Sequence, residues 1–188
     1  MITYTLTRSK RKTVAIHIRD GSVEVRAPLR TPKRDIDRFV MSKEQWIAAK
    51  LLQSRERAQQ REAFRRTCGD AVPAQRAEFM NAAKSHIPLR VAHFAEKMGA
   101  APAAVKINRA KARWGSCSAK KNLNFSWRLM MADDDVIDYV VVHELAHLKE
   151  MSHSPRFWAI VEGVLPDYRA RQSRLRALQR RLSCEDWG

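Results

Sequence analysis

The stretch Asp133-Asp134-Asp135-Val136-Ile137-Asp138-Tyr139-Val140-Val141-Val142-His143-Glu144-Leu145-Ala146-His147-Leu148-Lys149-Glu150 decides how this chain is read. Three acids stand where the positive end of a helix dipole favours them, and the apolar run behind them predicts a helix from Val136 to about Glu150. Inside it lies HExxH. Residues four apart stack on one helical face, so the imidazoles of His143 and His147 can meet one zinc ion at about 2.0–2.1 Å each. Glu144 is one residue around from His143, the position of a general base that approaches a metal-activated water without being a ligand.

His153 follows His147 after five residues and directly precedes the helix signal Ser154-Pro155, so a loop there can return a third imidazole to the metal. Glu150, Glu162 and Asp167 are the alternative third ligands. Three protein ligands leave a position open for water, as catalytic rather than structural zinc requires. Zinc lowers the pKa of that water from 15.7 toward roughly 7, which makes hydrolysis of a carbonyl or phosphoryl group the natural reaction.

Working outward, the N-terminal region alternates Val14, Ile16 and Ile18 with polar residues, turns at Asp20-Gly21 and resumes at Val23 and Val25. This predicts a hairpin, with Tyr4 and Leu6 supplying a third strand of a small antiparallel sheet over residues 2–27. Thr31-Pro32 reads as an N-cap followed by Pro at the first helical position, opening one long helix through about Arg66. Ile36, Phe39, Val40, Ile47, Leu51 and Leu52 are its apolar positions, and Arg55–Arg66 is nearly all polar. A second helix runs from Ala74 to Met98, with Pro88 as a kink point. Val105–Asn108 and Leu123–Trp127 are expected to pair as a hairpin, and Pro166 opens a last helix through Leu178. The expected organisation is one domain over 1–188, with residues 1–70 as hairpin plus basic helix and 71–188 as the catalytic core.

Four ordered motifs then carry a resemblance: Arg113-Trp114-Gly115-Ser116-Cys117-Ser118, Asn122–Leu129, Ile137–His147 and His153-Ser154-Pro155-Arg156-Phe157-Trp158. Together they resemble the YgjP-like metal-dependent hydrolases, small zincins related to SprT and WLM proteins. The match is close over about 104–170, and Val25-Arg26-Ala27-Pro28 and Trp46-Ile47 resemble the family's opening. Leu51–Arg66 departs from the family pattern by staying helical, polar and basic. The resemblance implies zinc ligands at His143, His147 and His153, a catalytic Glu144, and an α+β zincin-like metallopeptidase fold. In it a short sheet packs on the HExxH helix, an edge strand is available to an extended peptide, and the C-terminus is helical.

Other residues have competing readings. Tyr168 is a candidate oxyanion donor. Trp114 and Trp127 either line a cleft or pack in the core. Asn124 and Ser126 either touch substrate backbone or face solvent. Tyr139 supports the helix, and Asp138 either accepts a ligand's second N–H or serves the helix terminus. Cys117 lacks a histidine at interpretable spacing and is not read as a nucleophile. His17, His86 and His93 stay outside the metal set.

The 188 residues, 45% hydrophobic, suffice for a globular core. No apolar run approaches the roughly 20 residues that span a bilayer, and no secretory pattern opens the chain, so a cytoplasmic protein without membrane partners is expected. Three cysteines without CxxC spacing argue against a disulfide framework. The formal charge of +16 is uneven, +10 over residues 1–66 and +6 over 67–188. Arg55, Arg57, Arg61, Arg65 and Arg66 are therefore candidates for nucleic-acid phosphates, against the plainer reading of a solvated helical face. The leading expectation is a zinc metallopeptidase acting on a protein or peptide. A metal-dependent pyrophosphatase acting on UTP, implied by the resemblance, is the alternative, and a nucleic-acid-binding module with a structural metal is the third.

Overall fold

The computed structural model describes residues 2–19, 21–68, 71–185 and 187. Its elements are β1 (Thr5–Ser9), β2 (Ala15–Arg19), β3 (Ser22–Pro28), α1 (Lys33–Ser42), α2 (Glu44–Cys68) and α3 (Val72–Met98). Then come β4 (Ala104–Asn108), β5 (Gly115–Cys117), β6 (Asn122–Ser126), a 3-10 turn at Trp127–Met131, α4 (Asp134–Ala146), α5 (Pro155–Val164) and α6 (Tyr168–Cys184). The chain divides into two compact units, one built on residues 1–67 with 183–186 and the other on 68–182 with 187–188.

In the first unit β3 is the central strand because Val23, Val25 and Ala27 are all buried, so it needs neighbours on both sides. β2 pairs with it antiparallel, Arg19 opposite Ser22, across a turn in which Gly21 takes φ +74°. Asp20 of that predicted turn lies outside the described residues. β1 pairs with the other edge of β3 in parallel, Thr5 opposite Glu24, so the expected antiparallel sheet is mixed. The connection between β1 and β2 reverses the chain but leaves a place between them, which β3 fills. Ile36, Val40 and Ile47 cover the sheet's apolar face and complete a small core.

The expected single long helix is two. Ser42 Oγ donates to the Phe39 carbonyl at 2.7 Å and Lys43 N–H tightens onto Val40 O at 3.0 Å, which ends α1. Thr31 is not the N-cap: its carbonyl accepts from Arg8, its N–H bonds Pro28 O, and Pro32 takes the cap position without a side-chain bond. Leu52, expected on the apolar face, is 59% exposed.

The second unit holds the larger core. Leu123 and Phe125 of β6 are fully buried, and β6 is again central, with order β4-β6-β5. β5 forms the antiparallel partner and β4 pairs in parallel, Ala104 opposite Asn122, so the expected β4–β6 hairpin is overturned. Trp127 leaves the strand for the 3-10 turn, where Ser126 Oγ accepts from Arg128 N–H. α3 runs through Pro88 without interruption. α4 packs on α3, α5 and β5 and buries most of its circumference, from Val136 to Ala146. The outcome is the expected α+β arrangement, with a short sheet against the HExxH helix and helices after it.

Polar clamps set how α4 lies. Arg90 of α3 donates two parallel bonds to Asp138, both 2.7 Å, which is neither role expected for that carboxylate. Arg174 of α6 binds Asp133 and Asp135, Arg171 donates to the Asp135 carbonyl at 2.9 Å, and Gln172 donates to the Tyr139 hydroxyl at 3.0 Å. Truncating Asp138 to Ala strands the half-buried Arg90 guanidinium. Urea unfolding is expected to register a loss of about 2 kcal/mol through a lower midpoint at unchanged m-value.

Candidate metal centre

His143 lies in the last turn of α4 and His147 caps it, still in helical conformation, so the i, i+4 geometry survives. The helix ends there, earlier than Glu150, because Leu148 and Lys149 bond the carbonyls three residues back, at Leu145 and Ala146. Ser154 then caps α5, its Oγ accepting from Phe157 N–H, with Pro155 in the first turn, as expected. The short turn between these two signals swings His153 back over α4. Donor atoms of His143, His147 and His153 all lie within 4.8 Å of one another.

Nε2 of His143 and Nε2 of His153 are 3.0 Å apart. Two nitrogens each about 2.0–2.1 Å from a tetrahedral ion stand roughly 3.3 Å apart, so the cluster has a metal-site spacing. His147 Nδ1 meets the Glu150 carbonyl at 3.2 Å. With the proton on that nitrogen, Nε2 keeps its lone pair for a metal. Burial, followed by the neighbouring His147 and His153, pushes the pKa of His143 down to about 3. His147 is lowered too, chiefly by burial, against the Glu150 carbonyl, which favours its proton. Neutral imidazoles are the ligating form, so the three residues fit a metal ion. Of the alternative ligands, Glu150 is engaged by Ser152, at 2.6 Å from its hydroxyl, and Asp167 by Arg171. Glu162 lines a separate cleft with Trp158 and Tyr168.

Glu144 is 5% exposed, its Oε2 has no hydrogen-bond partner among the described residues, and burial raises its pKa to about 7. What makes room for it is Gly115 of β5, a residue the sequence reading did not single out. A Cβ there would stand 2.6 Å from both Cγ and Oε1 of Glu144. No strand was expected at 115–117, so the sequence offered only the glycine of the motif Arg113–Ser118; in the fold it opens β5, where a glycine allows close approach of another chain segment.

Aromatic rings back the cluster. Phe157 and Trp158 pack on the histidines, with centroids 4.9 and 5.8 Å from His143, and Tyr168 stacks on Trp158 at 5.4 Å and on Tyr139 at 6.4 Å. Tyr168 is buried and stacks on Trp158, which itself stacks on His153. Trp127 is core, stacked on Phe79. Trp114 is half-buried against that core and, with Lys111, Arg113, Ser116 and Asn124, lines a cavity of about 270 Å³ along β5. Asn124 Nδ2 donates to Ser116 Oγ at 3.4 Å. Ser126 is buried, donates to the Ala110 carbonyl and lines the same cavity, so it does not face bulk solvent. The Cys117 thiol is pushed up by burial and then by Glu144, consistent with a passive role.

Two predictions follow from this geometry. In Gly115→Ala the new methyl displaces the movable end of Glu144, so the fold should lose only about 1 kcal/mol while the carboxylate shifts. Metal content should stay at the wild-type level and any hydrolytic turnover should fall about 10²-fold, read by elemental analysis beside kinetics. The second concerns pH in metal-free protein. Unfolded His143 takes a proton near 6.5 and folded His143 only near 3, so stability is lost as pH falls between those values. Glu144 acts oppositely: its unfolded carboxyl ionises near 4.5 and its folded one near 7, so stability is lost as pH rises across that window. Urea titrations of Glu144→Gln should remove the second slope and leave the acid-side slope, and adding His143→Gln should reduce that slope to the part His147 contributes.

The YgjP-like family model, that of a YgjP-like metallopeptidase domain, matches residues 12–78 and 71–178. No curated protein matches. Among solved structures, the chain is similar to the metallopeptidase zymogen abylysin of Pyrococcus abyssi, with 25% identity, 47% of this chain and 90% of that chain covered, and a TM-score of 0.44. It is also similar to the metallopeptidase zymogen jannalysin of Methanocaldococcus jannaschii, with 20% identity, 51% and 97% covered, and a TM-score of 0.44. With the family model spanning most of its length and three imidazoles converging behind its HExxH helix, the chain belongs to the YgjP-like metallopeptidase-domain family.

Proposed function

We propose that this protein is a zinc metallopeptidase whose general base is Glu144 and whose metal ligands are His143, His147 and His153, the HExxH-x5-H set. The observation that supports this best is the buried Glu144 carboxylate, whose Oε2 has no hydrogen-bond partner among the described residues, next in sequence to one of three clustered imidazoles. A purely structural site has no use for such a group. Bound zinc supplies Lewis acidity, polarising a carbonyl and acidifying a water.

The remaining work falls to this chain's own side chains and backbone. Glu144, with its pKa near 7, is poised to accept a proton from water and return it to a leaving amine. β5 is an edge strand packed on α4, so an extended peptide pairing with it would lie beside Glu144. Asn124 and Trp114, which line the cavity along β5, are the candidate substrate contacts. Tyr168, stacked on Trp158, is the candidate oxyanion donor.

The nucleotide reading draws on a different feature. Trp158 and Tyr168 form an aromatic wall with Arg169 and Arg176 at the cleft beside α5, a surface for a base and its phosphates. No Gly-rich phosphate loop accompanies it.

Protein purified without chelators should carry near-stoichiometric zinc in wild type and Glu144→Gln, and little in His147→Ala. Peptide cleavage should fall about 10²–10⁴-fold in Glu144→Gln. Wild-type turnover by that variant would sink the general-base assignment, and metal-dependent pyrophosphate release from UTP without peptide cleavage would favour the nucleotide reading.

A further inference from the structure

Helix α2 has 25 residues and buries only Ile47, yet it carries six basic side chains against three acidic ones. Helices of this kind usually balance their charges by pairs three or four residues apart. Here the balancing is selective. Glu62 faces Arg65 and Arg66 at 3.9 and 4.0 Å. Arg55 and Arg57 have no ion pair or hydrogen bond among the described residues, and both are exposed.

These unpaired cations flank a built groove. Within the first unit, Lys50, Gln53, Ser54, Arg55, Arg57, Ala58 and Arg61 face Ile18 and Gly21 of the β2–β3 hairpin across about 440 Å³. Lys50, Arg57 and Arg61 share one helical face and extend about 16 Å along the axis. No acid is among the described residues that line it. Two of the cations are already oriented: Lys50 Nζ donates to Gln53 Oε1 at 3.1 Å, and Arg61 Nε donates to the Ser183 carbonyl at 3.1 Å.

We propose that this groove, formed by Lys50, Arg55, Arg57 and Arg61 with Gln53 and Ser54, binds the phosphate backbone of nucleic acid. Guanidinium forks match phosphate oxygens, and neutral donors such as Gln and Ser are the usual companions in backbone contacts. An acidic peptide is the other polyanion that an Arg cluster could bind; the neutral donors Gln53 and Ser54 beside the cations, with Ile18 and Ala58 as the apolar side chains among the described lining residues, favour a phosphate backbone. A membrane surface would need one apolar face, but the exposed Trp46 and Leu52 lie on different sides of α2. With no aromatic ring in the lining and no element shaped for a base-bearing groove, binding should be independent of sequence. The proposal is separate from the metal centre and stands or falls without it.

The test uses the full chain and a fluorescein-labelled 20-base-pair DNA duplex of mixed sequence, by anisotropy between 50 and 300 mM NaCl. Wild type should bind with a log–log salt slope of about −3. Arg55→Glu with Arg57→Glu should weaken binding at least tenfold at 50 mM and flatten the slope by about 2. The charge-matched pair Arg65→Glu with Arg66→Glu, off the groove, should cost under threefold. Circular dichroism and metal content should match wild type in both variants, showing that the fold is intact. Equal losses in the two variants, or no binding at 50 mM, would overturn the groove. So would competition by polyglutamate at the same charge concentration as effectively as by unlabelled duplex, which would indicate an acidic protein partner. Capture by phosphatidylserine vesicles without duplex binding would equally overturn it and indicate a membrane surface.

Discussion

A buried carboxylate without a hydrogen-bond partner is costly, and the second unit holds one whose Oε2 has none among the described residues. Glu144 sits on α4, ten of whose thirteen residues are buried, so its side chain has little access to water. Burial raises its pKa to about 7, and the strand glycine Gly115 is what lets it remain at that depth. Replacing this carboxylate by an apolar group would relieve the desolvation that the fold now tolerates. Keeping it makes sense where a proton has to be taken up and released near neutral pH.

The rotation of α4 about its own axis then matters, because a turn of a few tens of degrees would carry His143 and Glu144 away from their neighbours. Apolar contacts alone are poor at fixing rotation, since they are non-directional. Directional bonds do it here: Arg90 grips Asp138 from one side, while Arg171, Gln172 and Arg174 of α6 hold Asp135, Tyr139 and Asp133. The acids that open the helix thus do more than favour its dipole. They tie the site's helix to elements remote in sequence, and the aromatic stack Trp158–Tyr168–Tyr139 fills the space between.

The first unit is organised differently. Its core is small, built from β3 and three aliphatic residues of α1 and α2, and most of α2 extends past that core into solvent. The charge asymmetry of the chain is concentrated there. A metal centre in an apolar frame and a basic helix on a small mixed sheet are two physical solutions in one chain. Each is legible in its own terms, one through burial and the other through uncompensated charge.

Sequence alone determined what short-range geometry controls. The i, i+4 spacing put His143 and His147 on one face with Glu144 beside them, and the Ser154-Pro155 cap announced the helix start that returns His153 to that face. The central burial of β3 and the β2–β3 hairpin were readable from alternation and a Gly turn. Strand partners were not: β1 and β4 both pair in parallel, because periodicity marks which face is apolar and is silent on direction. The break at Lys43 came from a Ser side chain competing for a carbonyl, an effect smaller than any hydrophobic pattern. Tertiary structure alone decided that Gly115 faces Glu144, that Asp138 belongs to Arg90, and that Arg55, Arg57 and Arg61 share a groove while Arg65 and Arg66 do not. All three depend on segments distant along the chain, whose meeting is set by how whole elements pack.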